Sequence, residues 1–436
     1  MPDRTPYPGM REIKALYQYS ACELADVDST NGSIKVKITN MHDFISSNIY
    51  DMYWSIICDG KTTAEGTMSV PSVEPKKSRQ ITINAALPPA ALFGVYLNLS
   101  FRLAKSTLWA KKGFEAASAQ LEITVPKIQV IRIEKSLPPV AMHQQGEYTI
   151  IEGDTFTYKF NNFYGSFESI TRNGVEFLRN RPCFSVWRAP TDNDRNIKHQ
   201  WNNENLQHVV SKVYSVNTEM AAEGVRITVH GSLCAVARAP FAQTVITYTI
   251  LPSGEIMVNV SADIRDNMMF LPRFGLELIM PAGNEYLEYY GLGPEENYCD
   301  MNSIFMGLYT SSVSDQYFPY IKPQEHGNHG NVKWAAVFDM LGRGLLFRAK
   351  THFEFNASHY TAGDLTKAAH TNELEAREET IVRIDYKNGG IGSGSCGPYT
   401  FDKYLVNDKQ IRYTFGILPF SREEMAASEA VKYMFV

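Results

Sequence analysis

The sequence predicts an all-β fold made of two consecutive β-sandwiches. Apolar and polar residues alternate with period two in many short segments, as in "SIKVKITN" (33–40), where Ile34, Val36 and Ile38 would share one face. Turn signals separate these segments. Helical periodicity is scarce, and strands do not alternate with helices, which excludes a (β/α)8 barrel.

The first sandwich is predicted over residues 12–126. One of its segments, "DMYWSIICDGK", ends in an Asp59-Gly60 pair, which is a strong hairpin signal. About 100 residues of such strands are typical of one β-sandwich. A proline-containing stretch then interrupts the alternation. Because proline removes a hydrogen-bond donor from a sheet, we place a linker at residues 127–145.

The remaining residues, 146–436, are predicted to form a larger antiparallel structure. Long alternating segments continue to the end, one of them with a turn at Pro252-Ser253-Gly254. Nearly 300 residues of strand need two stacked sheets to bury a face, which predicts a large sandwich. Two short helices are expected. One spans Trp201–Lys212, and the other lies near the end, where Ser421 and Glu424 have capping-box spacing.

Composition excludes several classes of protein. The net charge is −5 and basic residues are scattered, so we expect no nucleic-acid partner. No apolar run approaches the roughly 20 residues that cross a bilayer, so no membrane partner is expected, and the start lacks the apolar core of a secretory signal. Six single cysteines without a CxxC pair argue against zinc or redox motifs and predict buried thiols. This cysteine usage favours the cytoplasm.

The segment "WRAPTDNDR" (187–195) concentrates charged and polar residues in an otherwise strand-rich chain. Its two aspartates and Asn196 have the spacing of a calcium loop, but Ile197 stands where that loop needs glycine, which excludes calcium. Two interpretations stay open. The segment is a structural turn, in which Arg188 pairs with either aspartate, or it is a sugar-facing loop, because Asp and Asn side chains bond well to hydroxyl groups.

A second segment, "YYGLGPEENYCD" (289–300), contains the adjacent carboxylates Glu295 and Glu296. A pair of carboxylates is the machinery of a glycosidase. Adjacent strand residues, however, point to opposite faces, so these two would not flank one glycosidic bond. We therefore interpret this segment as a solvated turn with buried tyrosines.

A third segment, "PYIKPQEHGNHGNVKW" (319–334), raises the question of a metal through Glu325, His326 and His329. No further strong ligand stands at a zinc-like spacing, so no metal site is expected. Histidines in such a loop are expected to be exposed to solvent.

A fourth segment, "GGIGSGSCGP" (389–398), is rich in glycine. It lacks the Lys-Ser/Thr pair and the following helix of a phosphate-binding loop. Glycine allows a backbone to approach another surface closely, and that is the interpretation we favour. Cys396 within this loop is expected to be partly exposed.

In this order, the four segments resemble the C-terminal half of the large β-galactosidases of glycoside hydrolase family 2. The beginning, "DRTPYPGMREIKALYQ", is similar to the stretch that leaves the catalytic barrel of that family and enters its fourth domain. The resemblance implies that residues 1–11 leave a missing barrel and residues 12–126 form an immunoglobulin-like sandwich. It also implies that residues 146–436 form the small-chain supersandwich, which is similar to galactose mutarotases.

The resemblance also implies which parts are absent. The family places its jelly roll, its barrel and both catalytic glutamates upstream, so this chain is expected to hold no catalytic residue, no metal and no cofactor. Magnesium and sodium, which the full-length family often uses, belong to the missing domains. The chain is expected to be inactive alone, with its true amino terminus upstream. The expected partner is a catalytic half, encoded by the same gene or separately, and the full-length form is expected to be an oligomer.

In the family, loops of the last domain complete the sugar pocket of the barrel. The resemblance therefore implies that the rim of a partner site is formed by Arg188, Asp192, Asn193, Ser395 and Cys396. A galactoside would bind this chain alone at most weakly. Some relatives have a tryptophan that stacks on sugar where this chain has Cys396, and a thiol has no ring face.

Two alternative functions remain. The chain could be a stand-alone carbohydrate-binding module. It could also be a mutarotase-like sugar epimerase that uses a histidine and a carboxylate as acid and base. For the epimerase, Asn328-His329 is similar to an asparagine-histidine motif, although the aromatic residue that should follow is replaced by Gly330-Asn331.

Overall fold

A computed structural model describes residues 4–128, 131–133 and 137–435. The chain divides into two compact units. The first unit comprises Met1–Val130 and Ser303–Leu308, and the second comprises Ile131–Asn302 and Tyr309–Val436.

The first unit is a seven-stranded antiparallel sandwich preceded by one short helix. The helix is α1 (Gly9–Leu16), and the strands are β1 (Ser20–Asp28), β2 (Ser33–Asn40), β3 (Tyr50–Cys58), β4 (Lys61–Ser69), β5 (Ser78–Asn84), β6 (Val95–Leu103) and β7 (Glu115–Ile123). A 3-10 turn, Ser47–Ile49, precedes β3. One sheet has the order β1-β2-β5 and the other β4-β3-β6-β7. This arrangement is the predicted immunoglobulin-like sandwich.

The core of the first unit forms because alternate residues of each strand point inward. Ile34, Val36 and Ile38 on β2 are fully buried, as their spacing predicts, and they pack in one cluster with Leu97 and Phe101 on β6. The hairpin predicted at Asp59-Gly60 joins β3 to β4, with φ values of 48° and 83° at its two turn residues.

The second unit consists mainly of antiparallel strands. In chain order they are β8 (Ile131–Ile133), β9 (Ala141–Gln145), β10 (Tyr148–Glu152), β11 (Phe156–Asn161), β12 (Ser166–Arg172), β13 (Val175–Glu176), β14 (Asn180–Ser185), β15 (Val209–Ala221), β16 (Gly224–Ala235), β17 (Ala242–Ile250), β18 (Ile256–Ile264), β19 (Arg273–Met280), β20 (Tyr286–Gly293), β21 (Phe305–Ser312), β22 (His329–Phe338), β23 (Arg343–Ser358), β24 (Thr380–Asn388), β25 (Gln410–Ser421) and β26 (Tyr433–Phe435). Strand β21 crosses the boundary between the two units.

Short helices connect some of these strands. They are α2 (Lys198–Asn203), α3 (Ala362–Lys367) and α4 (Ala427–Ala430), together with 3-10 turns at Asp192–Arg195, Leu206–His208, Ser314–Gln316, Thr371–Glu373 and Asp402–Tyr404. In the described part of the chain, no helix has the length and apolar character needed to cross a bilayer.

Two stacked sheets form the predicted supersandwich of the second unit. The smaller has the order β13-β12-β11-β10-β9. The larger follows β14-β19-β24-β23-β25-β18-β17-β16-β15, with β20 to β22 attached beside β23. Aromatic rings join the two sheets, because Tyr248 on β17 lies 5.6 Å from Phe160 and 5.2 Å from Phe167, measured between ring centroids. All three side chains belong to one large buried cluster.

Three local predictions differ from the structure. The predicted linker 127–145 ends in strand β9, which pairs with β10. The helix predicted over Trp201–Lys212 is wrong beyond the first turn, because Val209 begins β15, which pairs with β16 at twelve of its thirteen residues. The capping box at Ser421 and Glu424 is also wrong. Ser421 is the last residue of β25 and pairs with Arg343, and the nearby helix α4 begins only at Ala427.

The cysteines also differ from expectation. All six thiols are free, but none is fully buried. Cys183 and Cys396 are exposed, and the other four are half-buried. The prediction of buried thiols is therefore wrong.

Asp59 provides a test of the first unit. Its carboxylate accepts hydrogen bonds from the backbone N–H groups of Leu92, Phe93 and Gly94 at 2.9, 2.7 and 3.1 Å. Asp59→Ala leaves these donors without that acceptor and places alanine at a positive φ. We expect a loss of about 2–4 kcal/mol of unfolding free energy. Urea unfolding measures this loss, and hydrogen exchange at the backbone amides of residues 92–94 localises it.

Asp59→Asn is the matched control, because asparagine keeps one acceptor oxygen and tolerates the same φ. We expect it to cost less than half as much as the alanine variant. Equal losses for the two variants would contradict this role of the side chain.

Candidate functional site

The four polar segments of the sequence meet in the second unit. The side-chain amide of Asn388, at the start of the glycine-rich stretch, donates to Glu325 at 3.0 Å and to Asn328 at 3.4 Å. The backbone N–H of Glu325 in turn donates to the carbonyl of Ala189 at 3.0 Å. The backbone carbonyl of Asn297 accepts from Asn328 at 2.8 Å. Segments up to about 200 residues apart in sequence therefore share one hydrogen-bonded region.

Arg188 joins the first and fourth segments from the inside. Its guanidinium is 2% exposed and forms a bidentate pair with Asp194, at 3.1 Å from Nε and 2.8 Å from Nη2. It also donates to the carbonyl oxygens of Gly389 and Gly390, the second at 3.0 Å. Of the two aspartates that the sequence offers as partners, the structure selects Asp194. Arg188, one of the predicted rim residues, is therefore buried and joins the two loops through these hydrogen bonds.

The first segment separates into a structural side and an exposed side. Asp194 also accepts from the backbone N–H of Thr191 at 2.9 Å, which closes the short 3-10 turn. Asp192 in the same turn is exposed. Asn193 is half-buried and donates to the carbonyl of Gly392. The structure therefore supports the structural-turn interpretation, with Asp194 as the partner of Arg188. The sugar-facing interpretation of the outer polar groups stays a prediction.

Asp300 holds the glycine-rich loop from another side. Its carboxylate accepts from the backbone N–H groups of Ile391 at 3.0 Å and Gly392 at 2.7 Å. A Cβ atom at Gly390 would lie 2.6 Å from the Asp300 carboxyl carbon, so a larger residue there would displace the carboxylate that holds the loop. The close approach predicted for this loop is confirmed at Gly390. Beyond this contact, Ser395 is half-buried and Cys396 is exposed.

A second buried arginine, Arg273, anchors the network further inside. Its guanidinium is fully buried, and its Nε donates to Asp385 and its Nη1 to Glu325, at 2.8 and 2.9 Å. Burial alone would raise the pKa of Glu325, but the positive charges of Arg273, Arg383 and Arg188 outweigh burial and lower it. Glu325 is therefore ionised near neutral pH.

Three residues expected in solvent are buried instead. Glu296 accepts from the hydroxyl of Tyr320 and, at 2.7 Å, from the backbone N–H of Gly327, and burial raises its pKa to about 7. His326 and His329 are 3% and 1% exposed. Burial lowers the pKa of His329 to about 4, so its ring is neutral at pH 7. The expectations of a solvated Glu296 and of exposed histidines are therefore wrong, whereas the buried tyrosines predicted for 289–300 are confirmed.

The chemistry of this region is that of a scaffold for two loops. Among the described residues, no three His, Cys, Asp or Glu side chains lie together as metal ligands would. Glu296 is buried beneath the surface and Glu295 is half-buried, so they do not form a facing pair across an open cleft. The exposed carboxylate of Asp192 and the half-buried side chains of Asn193 and Ser395 have polar groups of the kind that bond to a hydroxyl-rich ligand.

Reasoning from sequence missed the inner part of this network, which includes Arg273, Asp385, Asn388 and Glu354. A signal was present. Arg383 and Asp385 stand two apart in the apolar strand "TIVRIDY" and so share one face, and a charged pair inside such a strand needs buried partners.

Comparison with known protein families matches most of this sequence to β-galactosidase domains. Residues 152–417 match the family described as β-galactosidase small chain, and residues 36–124 match β-galactosidase domain 4. The first match alone covers more than half of the chain. This chain belongs to the β-galactosidase family. It corresponds to a C-terminal portion of a β-galactosidase, as its resemblance to the family implies.

Individual β-galactosidases align with nearly all of this chain. The enzyme of Actinobacillus pleuropneumoniae is 29% identical over 426 residues, and that of Priestia megaterium 31% over 430 residues. Each alignment covers 96% of this chain but only 40% of the relative, so the chain spans about two fifths of their length. The solved structure of a galactose 1-epimerase from Lactobacillus acidophilus NCFM aligns with 66% of this chain and 99% of its own, at 8% identity and a TM-score of 0.34.

Replacing Arg188 tests the scaffold. Arg188→Met leaves Asp194 as a buried charge without its bidentate partner. We expect a loss of about 3–5 kcal/mol of unfolding free energy. Urea unfolding followed by tryptophan fluorescence is a suitable measurement, because Trp187 and Trp201 pack beside this turn with ring centroids 6.2 Å apart.

Arg195→Met is the control, since Arg195 lies in the same turn but is exposed. We expect it to change stability by less than about 0.5 kcal/mol. If Arg188→Met lowered the unfolding free energy as little as Arg195→Met does, the buried pair of Arg188 and Asp194 would not hold the turn.

Glu354 supplies a pH test. It accepts from the amide of Asn328 at 2.6 Å, and burial raises its pKa to about 7. Between pH 4.5 and 7 the folded chain therefore binds a proton that the unfolded chain releases, so stability falls as pH rises through this window. Glu354→Gln removes this dependence. We expect its stability relative to wild type to increase from pH 5 to pH 8 by up to about 3 kcal/mol.

Urea midpoints of both proteins at the two pH values measure this difference. Glu375→Gln, at an exposed position, is the control and should follow the wild-type profile. Parallel profiles for wild type and Glu354→Gln would show that Glu354 is ionised in the folded chain across this range.

Proposed function

We propose that this chain is the non-catalytic C-terminal portion of a β-galactosidase, an enzyme that hydrolyses terminal β-D-galactosides such as lactose. In this role it supports and completes the sugar site of a catalytic barrel that the chain itself does not contain. We further propose that residues 12–126 act as the fourth domain and residues 146–436 as the small-chain domain. Family membership and the alignment to about two fifths of the relatives support this assignment.

The observation that carries the proposal is the pair of interlocked loops at 187–195 and 389–398. Arg188 and Asp300 fix the backbone of the glycine-rich loop, so this loop keeps one shape although it is rich in glycine. Asp192 and Asn193 lie on the outer side of the other loop. A rim built on fixed loops can hold hydroxyl groups in place without an entropic cost of ordering the loops on binding.

We assign different roles to the five rim residues. Asp192 and Asn193 are proposed to bond to sugar hydroxyl groups, and Ser395 and Cys396 to border the ligand on the opposite side. Arg188 is a positioning residue, because its guanidinium is buried and directed at Asp194 and two backbone carbonyls.

The burial of Asn328 and His329 speaks against an epimerase. His329 is 1% exposed and bonds to the hydroxyl of Tyr289 at 3.1 Å and to the side chain of Gln316. Asn328 is fully buried. In this conformation neither side chain meets a sugar that arrives from solvent. We therefore expect this chain to leave the rate of α-galactose mutarotation, followed by polarimetry, unchanged.

Complementation tests the proposed function. The chain is co-expressed with the part of the Priestia megaterium β-galactosidase that it does not match, and the co-purified material is assayed with lactose. We expect hydrolysis by the mixture and none by either part alone. Because one hydrogen bond to a sugar hydroxyl is worth about 1.4 kcal/mol, Asp192→Ala should raise KM roughly tenfold.

Asp315→Ala, at an exposed site in another turn of the second unit, is the matched control and should leave KM unchanged. Two outcomes would overturn the proposal. One is lactose hydrolysis by the chain alone that survives rigorous purification. The other is a complex that forms but is no more active than the catalytic part alone.

A further inference from the structure

An open, largely apolar groove of about 870 Å³ lies in the first unit, outside the region described above. Its walls include Ile13 and Tyr17 from the helix end, Tyr19 from the following segment, and Trp109 and Phe114 from the connection between β6 and β7. Trp109 and Phe114 meet edge to face at 5.4 Å between ring centroids. The side chains therefore form a defined apolar surface.

The amphipathic helix α1 makes this surface unusual for a folded unit. None of its eight residues is buried. Of its apolar residues, Ile13 lines the groove, and Tyr17, directly after the helix, lines it as well. Tyr17 is 78% exposed and Trp109 is 65% exposed. Contiguous apolar surface of this kind marks a binding site, because exposing it to water costs free energy that a partner would recover.

The charges at the groove limit what can cover it. Its lining contains Lys14 and Lys105 and, among the described residues, no carboxylate. Lys14 forms an ion pair with Glu115 at 3.4 Å and lies over the ring of Phe114 at 5.8 Å from the centroid. Its charge is therefore balanced within the chain, and Lys105 carries the remaining positive charge of the lining. The matching surface is therefore apolar at its centre, with an acidic or neutral polar edge.

The length of the relatives identifies such a partner. This chain corresponds to a C-terminal portion that covers 40% of their length. In a full-length relative the larger remaining part therefore precedes α1, and the chain enters this unit through that helix. The preceding part of the relative is therefore connected to this unit next to the groove. A wall formed by the first helix of the unit is suited to contact with it.

We infer that the groove of the first unit is the docking surface for the catalytic portion of the β-galactosidase. This inference rests on the proposed function and adds the place of contact. The apolar centre around Tyr17 and Trp109 supplies the affinity, and Lys105 at its edge favours an acidic border on the partner.

Co-purification tests the inference separately from activity. The tagged chain and the unmatched part of the Priestia megaterium enzyme are co-expressed, and the amount of partner retained on the tag is measured. Trp109→Ala and Tyr17→Ser should each reduce the retained partner at least tenfold. Phe163→Ser, which removes a 73% exposed ring in the second unit, is the control and should retain it fully.

A second measurement does not depend on separate folding of the two parts. The unmatched part of the relative is fused to the intact chain, and hydroxyl-radical footprinting compares the fusion with the chain alone. We expect the oxidation rates of Trp109 and Tyr17 to fall at least fivefold in the fusion, while that of Phe163 stays the same.

The outcomes separate the two proposals. If the wild-type pair co-purifies and hydrolyses lactose while the groove variants bind equally well, the groove inference fails and the proposed function stands. If the fusion leaves Trp109 fully reactive, the groove inference fails as well. If no complex forms and the fusion is inactive, both fail.

Other occupants would also overturn the inference. Sedimentation of the chain alone that shows a dimer abolished by Trp109→Ala would assign the groove to a second copy. Protection of Trp109 by lactose in the isolated chain would assign it to a saccharide.

Discussion

The buried charge of Arg273 is the constraint on which the inner part of the second unit depends. A fully buried guanidinium costs several kcal/mol unless carboxylates surround it, and Asp385 and Glu325 do so. Opposing charges keep the pKa of Arg273 raised although burial acts to lower it. Asn388 then connects Glu325 to the glycine-rich loop, and Arg188 connects that loop to the 187–195 turn. The hydrogen-bond network that compensates the buried charge of Arg273 therefore also fixes the loops 187–195 and 389–398.

This arrangement explains how a loop with so many glycines can have one shape. Glycine lowers the barrier to close approach but raises the entropy that must be lost on ordering. Here the backbone N–H groups of Ile391 and Gly392 bond to Asp300, and the carbonyls of Gly389 and Gly390 bond to Arg188. Because donors and acceptors of the loop are both satisfied by charged side chains, the scaffold supplies the order that its sequence lacks.

The sequence predicts the sheets well because alternation is a local property, as in Ile34, Val36 and Ile38. It fails where tertiary contacts decide. Val209 joins β15 because β16 pairs with twelve of the thirteen residues of that strand, which outweighs the expectation of a helix. The sequence predicts that His329 and Glu296 are exposed to solvent, because nothing in the residues next to them shows that other segments cover them. The residues of 187–195 alone left two interpretations open. The contact between Asp194 and Arg188 supports the structural turn, and the sugar-facing role stays a prediction.

The groove and the rim differ in the kind of interaction that they can supply. Holding a partner at micromolar concentration requires about −8 kcal/mol, and solvated polar groups such as Asp192 contribute little of that. Buried apolar area contributes about 25 cal/mol per Å², so the affinity has to come from a surface such as that around Trp109. Apolar area, in contrast, cannot distinguish one sugar hydroxyl from another, and oriented polar side chains can. A chain that both attaches to a catalytic part and finishes its sugar site needs one surface of each kind.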